Sequence, residues 1–165
     1  MGAMVLHEIA LTLPNRPGAL AGVARLLAEE RLNLAALSVN PEGERGLARM
    51  IVNDTQKALG ALKAAKYKAV SRELLVVHLE DRAGSFLRIL ELLADARINV
   101  ESVAILVVRE GGQSLVAVST DDLAKARAVL SRSGYLSKSA EQLVTNADLL
   151  ALSPSIPSES VGLLM

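Results

Sequence analysis

The chain says one thing twice. The stretch Leu13-Pro14-Asn15-Arg16-Pro17-Gly18-Ala19-Leu20 returns 66 positions later as Leu79-Glu80-Asp81-Arg82-Ala83-Gly84-Ser85-Phe86. The same offset relates Leu26-Leu27-Ala28 to Leu92-Leu93-Ala94, Arg31 to Arg97 and Asn33 to Asn99, which rules out a chance octapeptide. Each copy follows an apolar run and opens a helical pattern, so each reads as a strand-to-helix turn whose glycine lets the backbone come close to something. The duplication divides the chain into two units of about 75 residues. Surface scaling gives about 7,900 Å² for one folded body of this mass and about 9,500 Å² for two separate halves. Packing the halves together hides roughly 1,600 Å² more, so one body with two lobes is expected.

In the first unit, residues 4–13 alternate, with Ile9, Leu11 and Leu13 on one face and Glu8, Ala10 and Thr12 on the other, as in a half-buried strand. Pro17 suits the first position of a helix and Asn15 can cap free amides, so a helix is predicted from about Pro17. Its apolar stripe is Leu20, Val23, Ala24 and Leu27. An extended pattern over 34–40, a hairpin loop over 41–46 and a strand over 47–53 follow. Asp54-Thr55 caps a second helix, which Gly60 weakens by about 1 kcal/mol, and residues 67–72 form a short strand.

The order strand, helix, strand, strand, helix, strand recurs in the second unit. Its strands are expected over 74–79, 100–108 and 114–119, with helices over 85–96 and from Asp121-Asp122 onward, and with Gly111-Gly112 turning the hairpin. Beyond that hairpin the matching pairs, Lys57 with Lys125 and Tyr67 with Tyr135, stand 68 apart. Two extra residues are placed most cheaply in the hairpin loop, where insertions are tolerated. The units are read as 4–72 and 73–144, with a tail over 145–165 whose segment 153–158 lacks any period and is expected to be extended or mobile. Only Ser71-Arg72-Glu73 joins the units, which excludes a flexible tether. Leu74, Val76 and His78, and the run from Val103 to Val108, make the second sheet apolar on both faces. Something must cover it: the first unit's sheet, another subunit, or the tail from Leu136 onward.

Asn15-Arg16-Pro17-Gly18, the amphipathic helix after it and Leu32-Asn33-Leu34 at the second strand together resemble an ACT domain, a small-molecule sensing module of amino-acid metabolism. Asp81-Arg82-Ala83-Gly84 with Ile98-Asn99-Val100-Glu101 resembles it too, so the resemblance covers about residues 4–140. It implies an α/β (α+β) fold of two ferredoxin-like βαββαβ units, antiparallel sheets with helices on one face. It also implies an amino acid ligand held between paired domains by the first turn and the start of the second strand. On this chain those positions are Asn15, Arg16, Pro17, Gly18, Ala19 and Leu20 with Asn33 and Leu34, and Asp81, Gly84, Ser85 and Phe86 with Asn99 and Val100. Serine-binding members use one asparagine in the turn and one opening strand two, which map to Asn15 and Asn33. A small-molecule-sensing regulatory protein without catalysis, working as a homodimer, is the function implied. The alternative is a non-catalytic regulatory subunit that docks on an amino-acid biosynthetic enzyme, similar to the small chains of acetolactate synthase.

The chemistry of such a site can be stated from the residues. An amino acid needs amide donors for its carboxylate and carbonyl or carboxamide oxygens for its ammonium; the helix amides beyond Gly18 suit the first, and Asn15 and Asn33 suit either. Two or three charge-assisted bonds of about 1.5 to 3 kcal/mol each give millimolar to micromolar affinity after ordering costs. Asp81 brings a negative charge where the carboxylate would approach the second turn.

Composition narrows the other classes. Lys plus Arg and Asp plus Glu are both 18, and there are one Phe, two Tyr and no Trp, so neither a basic surface nor a stacking platform invites nucleic acid. There is no cysteine, and His7 and His78 stand in strand-like runs without ligand spacing, so no metal or cofactor is expected. No triad, phosphate loop or paired-carboxylate motif points to an enzyme. No secretory signal is apparent and no apolar run approaches the roughly 20 residues that span a bilayer, so the expected place is the cytoplasm and not a membrane.

Overall fold

The structure, a computed structural model, describes residues 5–110, 112–137 and 144. Met4, Gly111, the side chains of Val107 and Val108, and the expected tail with its segment 153–158 lie outside the described residues. The elements run β1 Leu6–Pro14, α1 Ala19–Glu29, β2 Leu34–Glu42, β3 Arg45–Val52, α2 Thr55–Ala64, β4 Ala69–Leu79, α3 Ser85–Asp95, β5 Val100–Glu110, β6 Gln113–Thr120 and α4 Leu123–Arg132. The predicted βαββ order holds in both units. Asp54 and Asp122 cap α2 and α4 as expected, each accepting from the backbone N–H three residues on at 3.0 Å.

The two units share one strand. Residues expected as the end of one sheet, a three-residue join and the start of another form a single 11-residue strand, β4, and the expected unit boundary after Arg72 falls inside it. β1 pairs with its first half, Leu6 facing Leu74 and Leu11 facing Ala69, and β6 pairs with its second half from Leu75 to Leu79. One six-stranded antiparallel sheet results, in the order β2-β3-β1-β4-β6-β5. Of the second unit's closing strand, the described residues show a bridge from Leu136 to Val77.

All four helices lie on one face of this sheet. Ala69, packed under α1 and α2, and Leu75 and Val77, packed under α3 and α4, are separated by even steps along β4 and so point the same way. Each helix pair seals its own core: Val23, Leu27, Leu59 and Leu62 with β1 and β3 in the first, and Ile89, Leu93, Ala126 and Leu130 with β4 and β6 in the second. The opposite face answers the question of cover. Leu6, Ala35 and Ile51 from the first unit pack with Leu74, Val76, Leu106, Leu115 and Ala117 from the second, and Val144 from beyond α4 joins them. Five strand spacings of about 4.8 Å would hold β2 and β5 about 24 Å apart in a flat sheet. They touch, so the sheet curls until its two edges face each other.

Two local expectations are corrected. α1 starts at Ala19 and not Pro17, because Asn15 does not cap it: its side-chain amide donates to the Gly43 carbonyl at 3.0 Å in the β2–β3 turn. The left-handed residues leaving α1 and α3 are Arg31 (φ 57) and Arg97 (φ 56). The next amide, Leu32 or Ile98, then closes back on the Leu27 or Leu93 carbonyl at 2.9 Å, as in a Schellman cap. The extra two residues of the second unit sit within β5 and not in a longer loop. Between the pairs Ile105–Val116 and Arg109–Ser114 the chain takes four steps along β5 and two along β6, an irregularity that an edge strand tolerates.

Gly60 stands in α2 with nothing within 4 Å of where a Cβ would be, and its backbone is not left-handed. Gly60→Ala is therefore expected to stabilise the protein by about 0.5 to 1 kcal/mol, seen as a denaturation midpoint shifted upward with an unchanged slope.

Candidate functional site

The repeated turn has the same conformation in both units. Gly18 and Gly84 both take φ 85, a left-handed geometry that strains any side chain, and each has open space where a Cβ would stand. Both glycines occupy the N-cap position of the following helix, and neither α1 nor α3 receives a side-chain cap from the described residues. Ala19 and Ser85 donate back to Arg16 and Arg82 at 3.2 and 3.3 Å, and Gly22 and Arg88 donate to the cap glycines. Between them, the N–H groups of Leu20 and Ala21, and of Phe86 and Leu87, find no acceptor among the described residues. α2 and α4, by contrast, are closed by aspartates. Unused amides at a helix N-terminus attract anions.

Arg16, Pro17, Asp81 and Gly84 are exposed, as are Asn15 and Gly18, so the turns stand open to solvent. Leu34 is 6% exposed within the first helix-side core, and Phe86 and Val100 pack on the second, which leaves those three mainly their backbones to offer a ligand. Asn33 and Asn99 hold their strands to the neighbouring strand's end: their N–H groups donate to Asn53 and Asp121 side chains at 3.0 and 2.9 Å. They also lie at the far end of α1 and α3 from the turns. An 11-residue helix spans about 16 Å, so Asn15 and Asn33 of one unit do not meet on one small zwitterion. The turn of one unit can share a ligand only with the start of the second strand of another unit or copy.

A cleft of about 560 Å³ opens beside the second turn. The stretch from Leu79 to Leu87 forms one wall, carrying Asp81, Gly84 and Ser85, and Ile105, Ser114 and Val116 of the sheet form the other. The cleft thus places free amides, a carboxylate and a hydroxyl around an apolar floor. Beside the first turn the groove is smaller, about 280 Å³, and lined by apolar side chains from Leu20 to Leu37 and Met50. Another pocket, of about 200 Å³, lies on the other flank of the second turn, where His78, Arg88 and Tyr135 meet Ser85.

Two features rest on tertiary contacts that the residue order does not record. Glu8 stands on the alternating face expected to be polar, yet it is 4% exposed, because the curled sheet encloses it. Arg72, from the supposed join, donates to its carboxylate at 2.6 and 2.7 Å and to the Ser102 hydroxyl at 2.7 Å, and Ser102 meets Ser119 at 2.9 Å. The group around His78 was equally hidden, although the substitution of Arg88 for Gly22 between the copies was a signal for it.

Comparison with known proteins agrees with this architecture. A family model described as an ACT domain pair matches residues 4–147. Among solved structures, protein BT0572 from Bacteroides thetaiotaomicron superposes with a TM-score of 0.78 at 23% identity, covering 88% of this chain and 99% of that one. The ligand-free regulatory subunit of aspartate kinase from Thermus thermophilus gives a TM-score of 0.53 at 20% identity, covering 79% of this chain and 98% of that one. The corresponding subunit from Thermus flavus gives 0.53 at 17% identity over 79% and 94% of the two chains. No curated protein matches significantly. A duplicated βαββ unit, the paired left-handed glycine turns and a match across both copies lead to one conclusion: the chain belongs to the ACT domain pair family.

Proposed function

We propose that this protein is a regulatory sensor that binds a free amino acid at its glycine turns and has no catalysis of its own. The observation that carries the reading is the pair of unused amides at the start of α1 and α3, set beside a left-handed glycine in both copies. At the second turn these amides open on the larger cleft, so the ligand's carboxylate sits against the N–H groups of Phe86 and Leu87. Asp81 and the Ser114 hydroxyl then face the ammonium, which turns the acidic side chain from an obstacle into a partner. The first turn, with Asn15 in that position and an apolar groove beside it, needs a neighbouring unit or copy to complete it. A homodimer supplies one, and exposed Leu37 and Val39 on the edge strand β2 favour such an association. The same exposed edge supports the second reading, docking on a biosynthetic enzyme.

A thermal-shift screen of the twenty amino acids tests the proposal. At ten times its dissociation constant, a true ligand is expected to raise the melting temperature by roughly 3 to 6 °C. Gly84→Val should abolish that rise, because its side chain occupies the open space at the cap. A flat response to every amino acid at millimolar concentration sinks the sensor reading.

A further inference from the structure

We propose that the second unit carries a separate oxyanion site, absent from the first, in the pocket formed by His78, Arg82, Ser85, Arg88, Gln113 and Tyr135. Its ligand is a small phosphate or carboxylate group. The proposal stands on a comparison of the two copies, residue by residue, and does not depend on what fills the cleft on the other side of the turn.

In the first unit Arg16 stands where Arg82 does, Pro14 where Glu80 does, and a glycine takes the position of Arg88. Gly22 has no side chain, and the Tyr67 hydroxyl lies 3.4 Å from where its Cβ would be. In the second unit Arg88 replaces Gly22 and Ser85 replaces Ala19, while His78 stands in the position of Thr12 and Tyr135 keeps that of Tyr67. A space of about 200 Å³ opens among them, enough for a phosphate or a small carboxylic acid. Two of the changes from one copy to the other, Gly22 to Arg88 and Ala19 to Ser85, therefore bring a cationic and a polar group to one place.

Two of the pocket's side-chain donors, Arg88 and Ser85, lack an acceptor among the described residues. Arg82 is held by Glu80 at 2.8 Å, so that pair is neutral. Arg88 has no ion-pair partner among the described residues and leaves the pocket with a net positive charge. The Ser85 hydroxyl is buried and has no hydrogen-bond partner among the described residues, in a corner where its first-unit counterpart is a methyl group. It stands at the first position of α3, whose N-terminus adds a favourable potential for an anion. A guanidinium and a hydroxyl converging beside a helix start form a set of donors that a tetrahedral or planar oxyanion satisfies.

The test is a ¹H–¹⁵N correlation titration of the full chain with sodium phosphate and separately with sodium acetate, with sodium chloride at matched ionic strength as the reference. Saturable movement of the His78, Arg88 and Tyr135 signals, which border this pocket and not the cleft, is expected, with a dissociation constant on the order of 1 mM. Saturation by phosphate alone identifies a phosphoryl ligand; saturation by both anions identifies any small oxyanion. Arg88→Gln should weaken binding at least about tenfold, since a charge-assisted bond is lost, whereas Arg25→Gln, the same change of charge on the exposed face of α1, should leave it unaltered. Movement that only follows chloride, or saturation that survives Arg88→Gln, overturns the proposal. An amino acid in the neighbouring cleft would instead move Ala83, Leu87 and Ile105, so the two sites succeed or fail separately.

Discussion

Arg72→Met is expected to destabilise the protein by about 3 kcal/mol, lowering the melting temperature by roughly 6 to 12 °C. The substitution strands the Glu8 carboxylate, whose side chain is 5% exposed, between the two halves of the curled sheet. Arg72 itself keeps 32% of its side-chain exposure, which places the effect at the lower end for a broken buried pair. Removing both charges is a different experiment. In the double variant Glu8→Met with Arg72→Met no charge is left buried, and Ser102 and Ser119 still bond each other. It is expected to lie within about 1 kcal/mol of the parent, because well-packed apolar replacements of an ion pair are often neutral. A double-mutant cycle from chemical denaturation checks both figures. If the double variant is as unstable as Arg72→Met, the stranded carboxylate is not the cause.

Leu93→Ala is expected to cost about 2 to 5 kcal/mol, since Leu93 is fully buried on the inner face of α3 and its removal leaves a cavity. The more informative result is where the loss is felt. β4 belongs to both units, and the inner core joins residues of β1, β2 and β3 to residues of β4, β5 and β6. The halves should therefore unfold in one transition. The chain has two tyrosines, Tyr67 in the first unit and Tyr135 in the second, and each packs on its own helix-side core. In a Tyr135→Phe background, Tyr67 fluorescence reports the first unit alone. Leu93→Ala should lower that midpoint by as much as it lowers the midpoint seen by circular dichroism. A Tyr67 transition that stays at the parent value would show two independent domains sharing a strand only in name.

Much of the fold could be read before any coordinates. Helices, hairpins and the aspartate caps rest on interactions within a few residues, such as Asp54 with Lys57 and Asp122 with Lys125, and a pattern in the chain records them. Duplication doubles every such signal, and glycines at matching positions of both turns supply the freedom that a φ of 85 requires. The site was less legible. Asn15 has the chemistry of a cap, but its partner is a carbonyl 28 residues away in a turn, and local reasoning has no access to that competition.

What the sequence determined by itself is the unit: its elements, their order, its twofold repetition and its family. Only the tertiary structure decided that the two sheets are one, since a join of three residues reads the same whether the backbone breaks or runs straight through it. It decided also that the sheet closes on its own open face, burying Glu8 and opening a larger cleft at the second turn than at the first. The physical reason is range. Periodicity and capping are set by neighbours along the chain, whereas the burial of a charge and the shape of a cleft depend on surfaces brought together from opposite ends of the sheet.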